Sequence, residues 1–478
     1  MQPLIEEFVN PPSSVQVLER LKGSRHCFFL DSGMDPAKLG RYSFIGSDPF
    51  LVMKSKGLQI SINGPYRLST AFGNPFDMLG SLLEQYQLTS DFADFPFIGG
   101  AVGYLSYDLG HFIERLPSTT VDDLQLPECY FAFYDAVIIF DHAESRVYIS
   151  STGFPEKGAL QQDRARSRLA ELHQLLAEAS NVESDIDEIS TRHDGLVHMS
   201  SNFTHESYIK AVDAAREYIK AGDIFQVNLS QRFEGDMPLP AYELYIKLRR
   251  INPAPFSAFL NFEEVAVVSS SPERFLRVRG DMVETRPIKG TRPRGKDYAS
   301  DQALAQELVT SVKDKAEHVM IVDLERNDLG RVCRYGTVRV TELMALEEYA
   351  TVFHLTSTVE GQLVQDKGII DLLKATFPGG SITGAPKVRA MEIIDELEPT
   401  KRSVYTGSIG YIGFDGGADL NIVIRTILVK EGKAYFQVGG GIVYDSDPED
   451  EYRETMDKAK ALIQALCMVP ELVTEVRR

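Results

Sequence analysis

The chain has 478 residues, of which 50 are Lys or Arg and 69 are Asp or Glu, so its formal net charge at pH 7 is -19. This excess of acidic residues argues against a basic face for nucleic acid and against docking on an anionic membrane. An acidic small-molecule ligand would still need a local cluster of cations, backbone N–H groups or a bound divalent metal.

Short runs of alternating apolar and polar residues dominate the first third of the chain and predict strands. A polar turn separates the last two of these runs, which are therefore expected to form a hairpin. Residues 158–179 have Leu at helical spacing among charged residues, which predicts an amphipathic helix, and the acidic residues 181–194 predict a linker after it. The strands that we predict in this part are residues 51–54, 58–62, 136–140 and 146–150.

The second part of the chain, from about Met199, mixes helices and strands without a strand–helix–strand repeat. Thr204 is placed to cap a helix that ends near Gly222, and one long helix is predicted within residues 300–324. The mixture predicts an α+β fold with large antiparallel sheets flanked by helices, not a doubly wound fold. The other predicted elements are helices from about Pro240, after Pro386 and from about Pro448, and strands at residues 225–230, 257–261, 265–269, 407–414, 422–429 and 434–438.

The cysteines Cys27, Cys129, Cys333 and Cys467 lie far apart and form no CxxC pair, which favours buried free thiols over a disulfide framework or a zinc site. The first residues lack the basic and apolar regions of a signal peptide. The most apolar run, residues 130–140, is too short to span a bilayer. We therefore predict a cytoplasmic protein that binds neither membrane nor nucleic acid.

The glycine-rich segments do not match nucleotide-binding motifs. Gly379 and Gly384 have the spacing of a phosphate-binding loop, but Ala385 and Pro386 follow where Lys and Ser or Thr are required. Residues 99–103 do not fit a dinucleotide fingerprint, because the third Gly is misplaced. These mismatches do not favour nucleotide-dependent chemistry.

Carboxylates recur at helical spacing on two predicted helices. Glu451, Glu454 and Lys458 lie at i, i+3 and i+7 of the last helix, and Asp314 and Glu317 lie at i and i+3 of the long helix. Hard cations prefer carboxylate oxygens, so two facing helices of this kind could supply a magnesium site. Spacing alone favours the alternative, a solvated face of ion pairs.

Three further residues have both a structural and a functional interpretation. Lys289 lies in a segment rich in Pro and Gly, and it is either a nucleophile with a lowered pKa or part of a basic surface loop. His354 lies in an apolar run, where a lone His is more often a hydrogen-bonded core residue than a catalyst. Arg425, in a predicted strand, needs an anionic partner, which is either a structural carboxylate or a substrate. Residues 439–441 (GGG) allow backbone N–H groups to approach a ligand or make a bulge.

Several motifs then occur in order along the second part of the chain, and together they resemble the chorismate-utilising enzymes. This family includes anthranilate synthase component I, aminodeoxychorismate synthase component I, isochorismate synthase and salicylate synthase. The resemblance covers roughly residues 199–470, and residues 28–32 and 99–108 resemble the family's accessory domain. The motifs are residues 222–230 (GDIFQVNLS), 271–275 (SPERF), 287–294 (PIKGTRPR), 316–318 (AEH) with 323–330 (DLERNDLG), and 384–387 (GAPK).

The resemblance implies the fold of anthranilate synthase component I. It also implies an N-terminal accessory domain over residues 1–180, a linker over 181–198 and a chorismate-binding catalytic domain over 199–478. The ligand would be chorismate, and the cofactor would be Mg²⁺. The metal would neutralise one chorismate carboxylate, which explains how an acidic protein could bind an acidic ligand.

The resemblance implies roles for individual residues as well. Glu317 and Glu454 would hold Mg²⁺ with Asp314 and Glu451 nearby, although the family usually has Glu where this chain has Asp314. The catalytic residues would be Lys289, Glu273 and His354. Glu273 would be the general acid and base for the hydroxyl at ring carbon 4, and His354 would line the ring. The substrate-binding residues would be Gln226, Thr291, Ser381, Tyr405, Arg425, Gly440, Gly441 and Lys458.

Two positions discriminate within the family. Members that use water as the nucleophile have a Lys base where this chain has Gln226, so isochorismate and salicylate synthesis are not favoured. Members that make anthranilate usually have Ala where this chain has Lys289, which resembles the aminodeoxychorismate enzymes. That resemblance implies attack of the Lys289 amine on ring carbon 2, followed by addition of ammonia at carbon 4.

Ammonia is expected from a partner, because none of the four cysteines lies in a glycine-rich elbow of the kind that a glutaminase needs. The resemblance implies a separate glutamine amidotransferase subunit, and a later lyase that makes 4-aminobenzoate for folate. Two alternatives stay open. One is anthranilate synthesis, with residues 28–32 as a tryptophan site, and the other is a non-catalytic binding protein that kept the fold.

Overall fold

The computed structural model describes residues 2–32, 34, 38–65, 68–88, 95–181, 197–237, 239–349, 352–466 and 468–470. Residues 182–196 of the predicted linker and Cys467 lie outside these ranges. The α-helices of the described residues are α1 (Ser14–Leu21), α2 (Pro75–Gln85), α3 (Ala159–Ala179), α4 (His205–Ala221), α5 (Ala241–Ile251), α6 (Tyr298–Thr310), α7 (Val312–Gly330), α8 (Ile369–Thr376), α9 (Lys387–Leu397) and α10 (Pro448–Leu466). Among them, none is both long and apolar enough to cross a bilayer.

Within the described residues, the first sheet has 13 strands in the order β1-β10-β9-β3-β2-β13-β14-β23-β24-β12-β11-β25, and β20 pairs with β12 at its side. Its pairings are antiparallel except that of β11 with β25. These strands are β1 (Leu4–Phe8), β2 (Cys27–Asp31), β3 (Tyr42–Gly46), β9 (Ala136–Asp141), β10 (Arg146–Ser151), β11 (Val197–Ser201), β12 (Gln226–Asp236), β13 (Phe256–Asn261), β14 (Ala266–Ser271), β20 (Gly384–Ala385), β23 (Thr426–Lys430), β24 (Lys433–Ile442) and β25 (Met468–Pro470).

The second sheet has 12 strands among the described residues, all paired antiparallel, in the order β17-β19-β16-β15-β22-β21-β7-β8-β4-β5-β6 with β18 on β19. These strands are β4 (Leu51–Lys56), β5 (Gln59–Asn63), β6 (Leu68–Phe72), β7 (Gly100–Leu105), β8 (Cys129–Tyr134), β15 (Arg274–Arg279), β16 (Met282–Arg286), β17 (Ile288–Pro293), β18 (Arg339–Glu348), β19 (Val352–Gln362), β21 (Ser408–Gly413) and β22 (Ala418–Asn421). Two 3₁₀ turns, Tyr107–Phe112 and Gly380–Ile382, complete the regular structure of the described chain.

Aromatic side chains join the two sheets. The ring of Phe44, on β3, lies 5.4 Å from that of Phe97 and 5.4 Å from that of Tyr411 on β21. Phe28 of β2 packs edge-on against Tyr134 of β8 at 4.6 Å. Such pairs add to the free energy gained by burying large apolar surfaces. The outer face of the first sheet is covered instead by apolar residues of α1, α3, α5 and α10.

Each sheet contains strands from both ends of the chain. In the first sheet β2 pairs with β13, so that Phe29 lies opposite Phe259. In the second sheet β7 pairs with β21, so that Gly103 lies opposite Gly410. The backbone hydrogen bonds therefore run without a break from the first 150 residues into the strands that follow residue 199. The division into domains at residues 181–198 stays a prediction.

The predicted fold class is confirmed, since large antiparallel sheets are flanked by helices. The predicted hairpin is β9 and β10, with Arg146 opposite Asp141. Thr204 caps α4 by accepting from the N–H of Ser207, and Gly222 ends the helix with φ +83°. The sequence predicts these elements correctly because helix caps and turns depend on a few neighbouring residues.

Two predicted elements are wrong. The long helix within residues 300–324 is two helices, because Ser311 is extended (ψ 116°) and its hydroxyl accepts from the N–H of Asp314, the third residue of α7. The strand predicted over residues 422–429 begins only at Thr426. Arg425 precedes it in the left-handed region, with φ +53°, a conformation that non-glycine residues rarely adopt.

Candidate active site

Lys289 of β17 lies among carboxylates from three other parts of the fold. Glu273 follows β14, Glu317 lies on α7 and Glu454 lies on α10, and all three favour the charged form of Lys289. Burial has the larger effect and lowers the pKa of the Lys289 ammonium, as does the charge of Lys458. None of the described residues forms a hydrogen bond or an ion pair with this ammonium group. Its amine is therefore easier to deprotonate than a surface lysine.

Glu273 is a buried carboxyl group with one strong hydrogen bond. Its side chain is 4% exposed, and Ser381 Oγ donates to Glu273 Oε1 at 2.5 Å. Burial raises the pKa of Glu273 to about 7, although the Ser381 hydrogen bond and the charge of Lys289 both oppose the rise. A carboxyl group with this pKa can donate a proton near neutral pH and take one back, which is the property of a general acid and base.

Carboxylates from α7 and α10 lie near one another in a group that we call the acidic cluster. Its members are Glu317, Glu451 and Glu454. Glu317 Oε1 is buried and has no hydrogen-bond partner among the described residues. Burial raises the pKa of Glu317, and the charge of Glu454 raises it further. Burial likewise raises the pKa of Glu451, again with the help of Glu454, although Ser446 donates to Glu451 Oε1 at 2.6 Å. A cation would stabilise the ionised form of all three carboxylates.

Gly440 of β24 packs directly against this cluster. A Cβ atom there would lie 3.1 Å from Glu451 Oε2, 3.5 Å from Glu454 Oε1 and 3.7 Å from Lys458 Nζ. Lys458 Nζ donates to the carbonyl of Gly439 at 2.8 Å and pairs with Glu454 Oε1 at 2.5 Å. This pairing lowers the pKa of Glu454. Glycine therefore leaves room for the carboxylates and for whatever they bind.

The acidic cluster fits a hard cation in part. A divalent cation would supply a partner for the unpaired oxygen of Glu317 and would offset the burial that raises the pKa of Glu451. Asp314 fits less well, because Arg292 Nη2 already donates to its Oδ2 at 3.1 Å. As the side chains stand, no group of three or more His, Cys, Asp or Glu among the described residues is arranged to hold a metal.

Arg425 and Tyr405 provide a second polar region. The Arg425 guanidinium forms no ion pair with a described carboxylate, and its Nη1 donates to the carbonyl of Lys458 at 2.7 Å. Burial lowers the pKa of Arg425, and it raises that of Tyr405 to about 12. A half-buried guanidinium without a carboxylate partner is suited to binding an anionic ligand.

Gln226 is the most secluded polar side chain of the site. It is fully buried, and neither its amide oxygen nor its amide nitrogen has a hydrogen-bond partner among the described residues. A Cβ atom at Gly441 would overlap this amide. Since buried polar groups are nearly always paired, Gln226 has the properties of a side chain whose partner is a ligand or a water molecule.

His354 and Thr291 lie opposite each other on β19 and β17, and Thr291 Oγ1 is 2.9 Å from His354 Nδ1. Burial lowers the pKa of His354 to about 4, and the charge of Arg425 lowers it further. The imidazole is therefore neutral at physiological pH, as expected for a residue that lines a pocket or bonds to its neighbour.

The chain matches the sequence profile of the family described as chorismate binding enzyme over residues 48–464. The chain belongs to this family of chorismate-binding enzymes. It is 42% identical to aminodeoxychorismate synthase component 1 of Bacillus subtilis (strain 168) over 95% of this chain and 94% of that one. It is 41% identical to anthranilate synthase component 1 of Acetivibrio thermocellus, over 97% and 94% of the two chains.

The structure of anthranilate synthase component I from Streptococcus pneumoniae TIGR4 is similar to that of this chorismate-binding enzyme. The TM-score is 0.77 at 32% sequence identity, and the match covers 95% of this chain and 98% of the other. The fold implied by the sequence motifs is therefore confirmed. The two curated relatives have nearly equal identity and different names, so they do not choose between the two reactions.

The structure brings most of the predicted site residues of this chorismate-binding enzyme into one region. The charges of Glu273, Glu317, Glu454 and Lys458 all act on the pKa of Lys289. Their roles stay predictions. Asp314 stands somewhat apart, since it pairs with Arg292 and its carboxylate faces Gly290, whose Cβ would lie 3.2 Å from Asp314 Oδ1.

Sequence reasoning missed Glu325, a buried carboxyl group on α7. It is 3% exposed, and its Oε1 accepts from the N–H of Gly380 at 3.1 Å. Glu325 belongs to the DLERNDLG motif. An acidic residue within a helix is usually exposed to solvent, so the sequence does not indicate that this one is buried.

A cavity of about 690 Å³ lies between the two sheets, away from Lys289 and the acidic cluster. Asp31, Ser32 and Lys38 from the N-terminal part line it together with Arg274 and Tyr411. It includes part of the 28–32 segment that the sequence linked with an accessory site, and its lining among the described residues contains neither Lys289 nor Glu273.

Proposed function

We propose that this chorismate-binding enzyme aminates chorismate at ring carbon 4 and produces 4-amino-4-deoxychorismate. The single observation that supports this choice is Lys289, whose ammonium is unpaired among the described residues and whose pKa burial lowers. A lysine with these properties can act as a nucleophile, and it lies within the electrostatic reach of Glu273.

In the proposed first step the neutral Lys289 amine forms a bond with ring carbon 2. The ring double bonds shift, and the hydroxyl leaves carbon 4 as water with the proton of Glu273. In the second step ammonia forms a bond with carbon 4, the double bonds shift back, and the bond between carbon 2 and Lys289 breaks. Glu273 takes up the proton that the added ammonia loses, so the overall change is chorismate plus ammonia to product plus water.

The remaining residues bind and orient the substrate in this proposal. Arg425, Tyr405 and Lys458 would bind one carboxylate of chorismate. Glu317, Glu451 and Glu454 would hold Mg²⁺, which supplies positive charge for the other carboxylate when it is bound. Neutral Gln226 cannot take a proton from water, so it supports ammonia over water as the nucleophile.

Ammonia comes from a glutamine amidotransferase subunit in this proposal. Both curated relatives are named component 1 of a synthase, which is consistent with a second component. The product would enter 4-aminobenzoate and folate synthesis in the cytoplasm.

Anthranilate synthesis is the second candidate, because the identities to the two relatives are 42% and 41%. Incubation of the purified chain with chorismate, MgCl₂ and an ammonium salt, followed by mass spectrometry, distinguishes the two. We expect a product that keeps the enolpyruvyl group and gains nitrogen. Anthranilate with free pyruvate would contradict the proposal and leave the family assignment intact.

A further inference from the structure

Glu325 lies on α7, eight residues after Glu317 of the acidic cluster, and is buried beneath the Gly380–Ile382 turn. Its Oε1 accepts from the N–H of Gly380 at 3.1 Å, and its Oε2 accepts from Thr285 Oγ1 at 3.4 Å. Both carboxylate oxygens therefore accept from neutral donors, and no Lys, Arg or His of the described residues forms an ion pair with Glu325.

The turn that Glu325 holds is the one that contacts Glu273. Ser381 follows Gly380, and its hydroxyl donates to Glu273 Oε1 at 2.5 Å. A Cβ atom at Gly380 would lie 2.6 Å from Leu324 Cδ2 and 3.0 Å from Glu325 Oε1, so the turn approaches α7 as closely as glycine allows. The positions of the Ser381 hydroxyl and of Glu325 are thus linked through one peptide unit.

We propose that Glu325 is a positioning residue for Glu273, since its carboxyl group holds the Gly380–Ile382 turn that directs Ser381 and, when ionised, repels the ionised form of Glu273. This inference rests on the proposed role of Glu273 as the acid for the hydroxyl at carbon 4. In this proposal Glu325 acts through the Gly380–Ile382 turn and Ser381 and not on the substrate itself.

The charged groups that face Glu325 are consistent with this role. Asp328, Lys387 and Glu273 act on it, and burial raises its pKa. Lys387 is already ion-paired with Asp328 and donates to the carbonyl of Thr376 at 2.7 Å, so it compensates the charge of Glu325 only in part. The pKa of Glu325 is about 7, so the two carboxyl groups ionise in the same pH range, and Glu273 raises the pKa of Glu325. Because repulsion between two carboxylates is mutual, ionisation of Glu325 favours the protonated form of Glu273, whereas the charge of Lys289 favours its ionised form.

Two variants separate the two parts of the role. Glu325→Gln keeps an oxygen that accepts from Gly380 but removes the charge, so the pH above which kcat/KM for chorismate falls is expected to move lower, with KM unchanged. Glu325→Ala leaves the Gly380 N–H without its acceptor, and kcat is expected to fall by about 100-fold because Ser381 and Glu273 are misplaced. Asp323→Asn, an exposed position on the same helix, is the control and should match the wild type.

Hydrogen–deuterium exchange of the peptide that contains residues 377–383 provides a readout independent of activity. Exchange should be faster in Glu325→Ala and unchanged in Glu325→Gln. Wild-type exchange and kcat in Glu325→Ala, or a wild-type pH profile in Glu325→Gln, would overturn the positioning role. The rate of chorismate consumption can be measured whichever product forms. An anthranilate product would therefore contradict the proposed function but not the positioning role of Glu325. Should the chain consume no chorismate, the exchange experiment decides on the positioning role by itself.

Discussion

At the scale of single residues, burial shifts the pKa values of Glu273 and Lys289, the two groups proposed to react, in opposite directions. It raises the pKa of Glu273 to about 7 and lowers that of Lys289, because a low-dielectric environment penalises the charged form of each. Burial therefore shifts each group towards its neutral form, and these neutral forms are the ones that the proposed first step requires. A surface Glu and a surface Lys would both be charged at that pH.

Glu273 gives the first prediction. Its acid form persists to about pH 7 instead of the ordinary 4.5, so the rate of chorismate consumption should fall as the pH rises through about 7. Glu273→Gln should lower kcat by roughly 100- to 10,000-fold, since an amide cannot donate the proton. Steady-state rates across a pH series, with circular dichroism to confirm folding, test both expectations. Full activity of the variant would exclude Glu273 as the acid.

Ser381 gives a second prediction at this scale. Its hydrogen bond to Glu273 Oε1 lowers the pKa of that carboxyl group. Ser381→Ala should therefore move the fall in activity to higher pH, opposite to the direction expected for Glu325→Gln. Paired pH profiles of the two variants measure the sign. A shift in the same direction in both would show that the Gly380–Ile382 turn acts by packing and not by charge.

Lys289 gives a third prediction, which concerns the product. Lys289→Ala should lower the formation of 4-amino-4-deoxychorismate by at least roughly 1,000-fold, because it removes the amine that is proposed to attack carbon 2. Lys315→Ala, at an exposed position of α7, is the matched control. Mass spectrometry of the intact protein, quenched with chorismate and Mg²⁺ present, should detect an adduct in the wild type only. Unchanged product formation by Lys289→Ala would remove the covalent step.

At the scale of secondary-structure elements, the site depends on where helices begin and on one glycine of a strand. Ser311 starts a second helix after α6, and this break directs Glu317 towards Lys289 and α10. β24 places Gly440 against Glu451 and Glu454. If α6 and α7 formed one uninterrupted helix, Glu317 would point in a different direction. A side chain at residue 440 would displace Glu451 or Glu454.

Gly440 gives the fourth prediction. Its φ is not in the left-handed region, so Gly440→Ala should fold normally, but the added methyl group would press on Glu451 Oε2 at 3.1 Å. The Mg²⁺ concentration for half-maximal activity should rise about tenfold, as is typical when the support of metal ligands is disturbed. Gly330→Ala, where a Cβ atom meets no described neighbour, is the control. Equal Mg²⁺ dependence of both variants would argue against a metal held by the acidic cluster.

At the scale of the whole molecule, two continuous sheets hold the first 150 residues and the catalytic strands together. β13 would lose its neighbour β2, and β21 would lose β7, if the N-terminal part were removed. Each would then expose a sheet edge and the aromatic contacts between the sheets, which is costly in water and promotes aggregation.

The fifth prediction follows from this continuity. Residues 199–478 expressed alone should be insoluble or lack a cooperative unfolding transition, whereas co-expression with residues 1–198 should restore both. Thermal unfolding followed by circular dichroism makes the comparison. A soluble, cooperatively folding 199–478 fragment would support the predicted division at residues 181–198 as one between independent domains.

The sequence by itself determined the order of the motifs, the alternating strands and the capped helices, because each depends on residues close together in the chain. It also named Glu273, Lys289 and the carboxylates of α7 and α10 as candidates. Only the tertiary structure decided that Ser381 meets Glu273 across 108 residues and that Glu325 is buried. It also decided that Arg425 is left-handed and forms no ion pair with the described carboxylates. Burial, and with it every pKa of the site, depends on neighbours in space, and local sequence does not contain them.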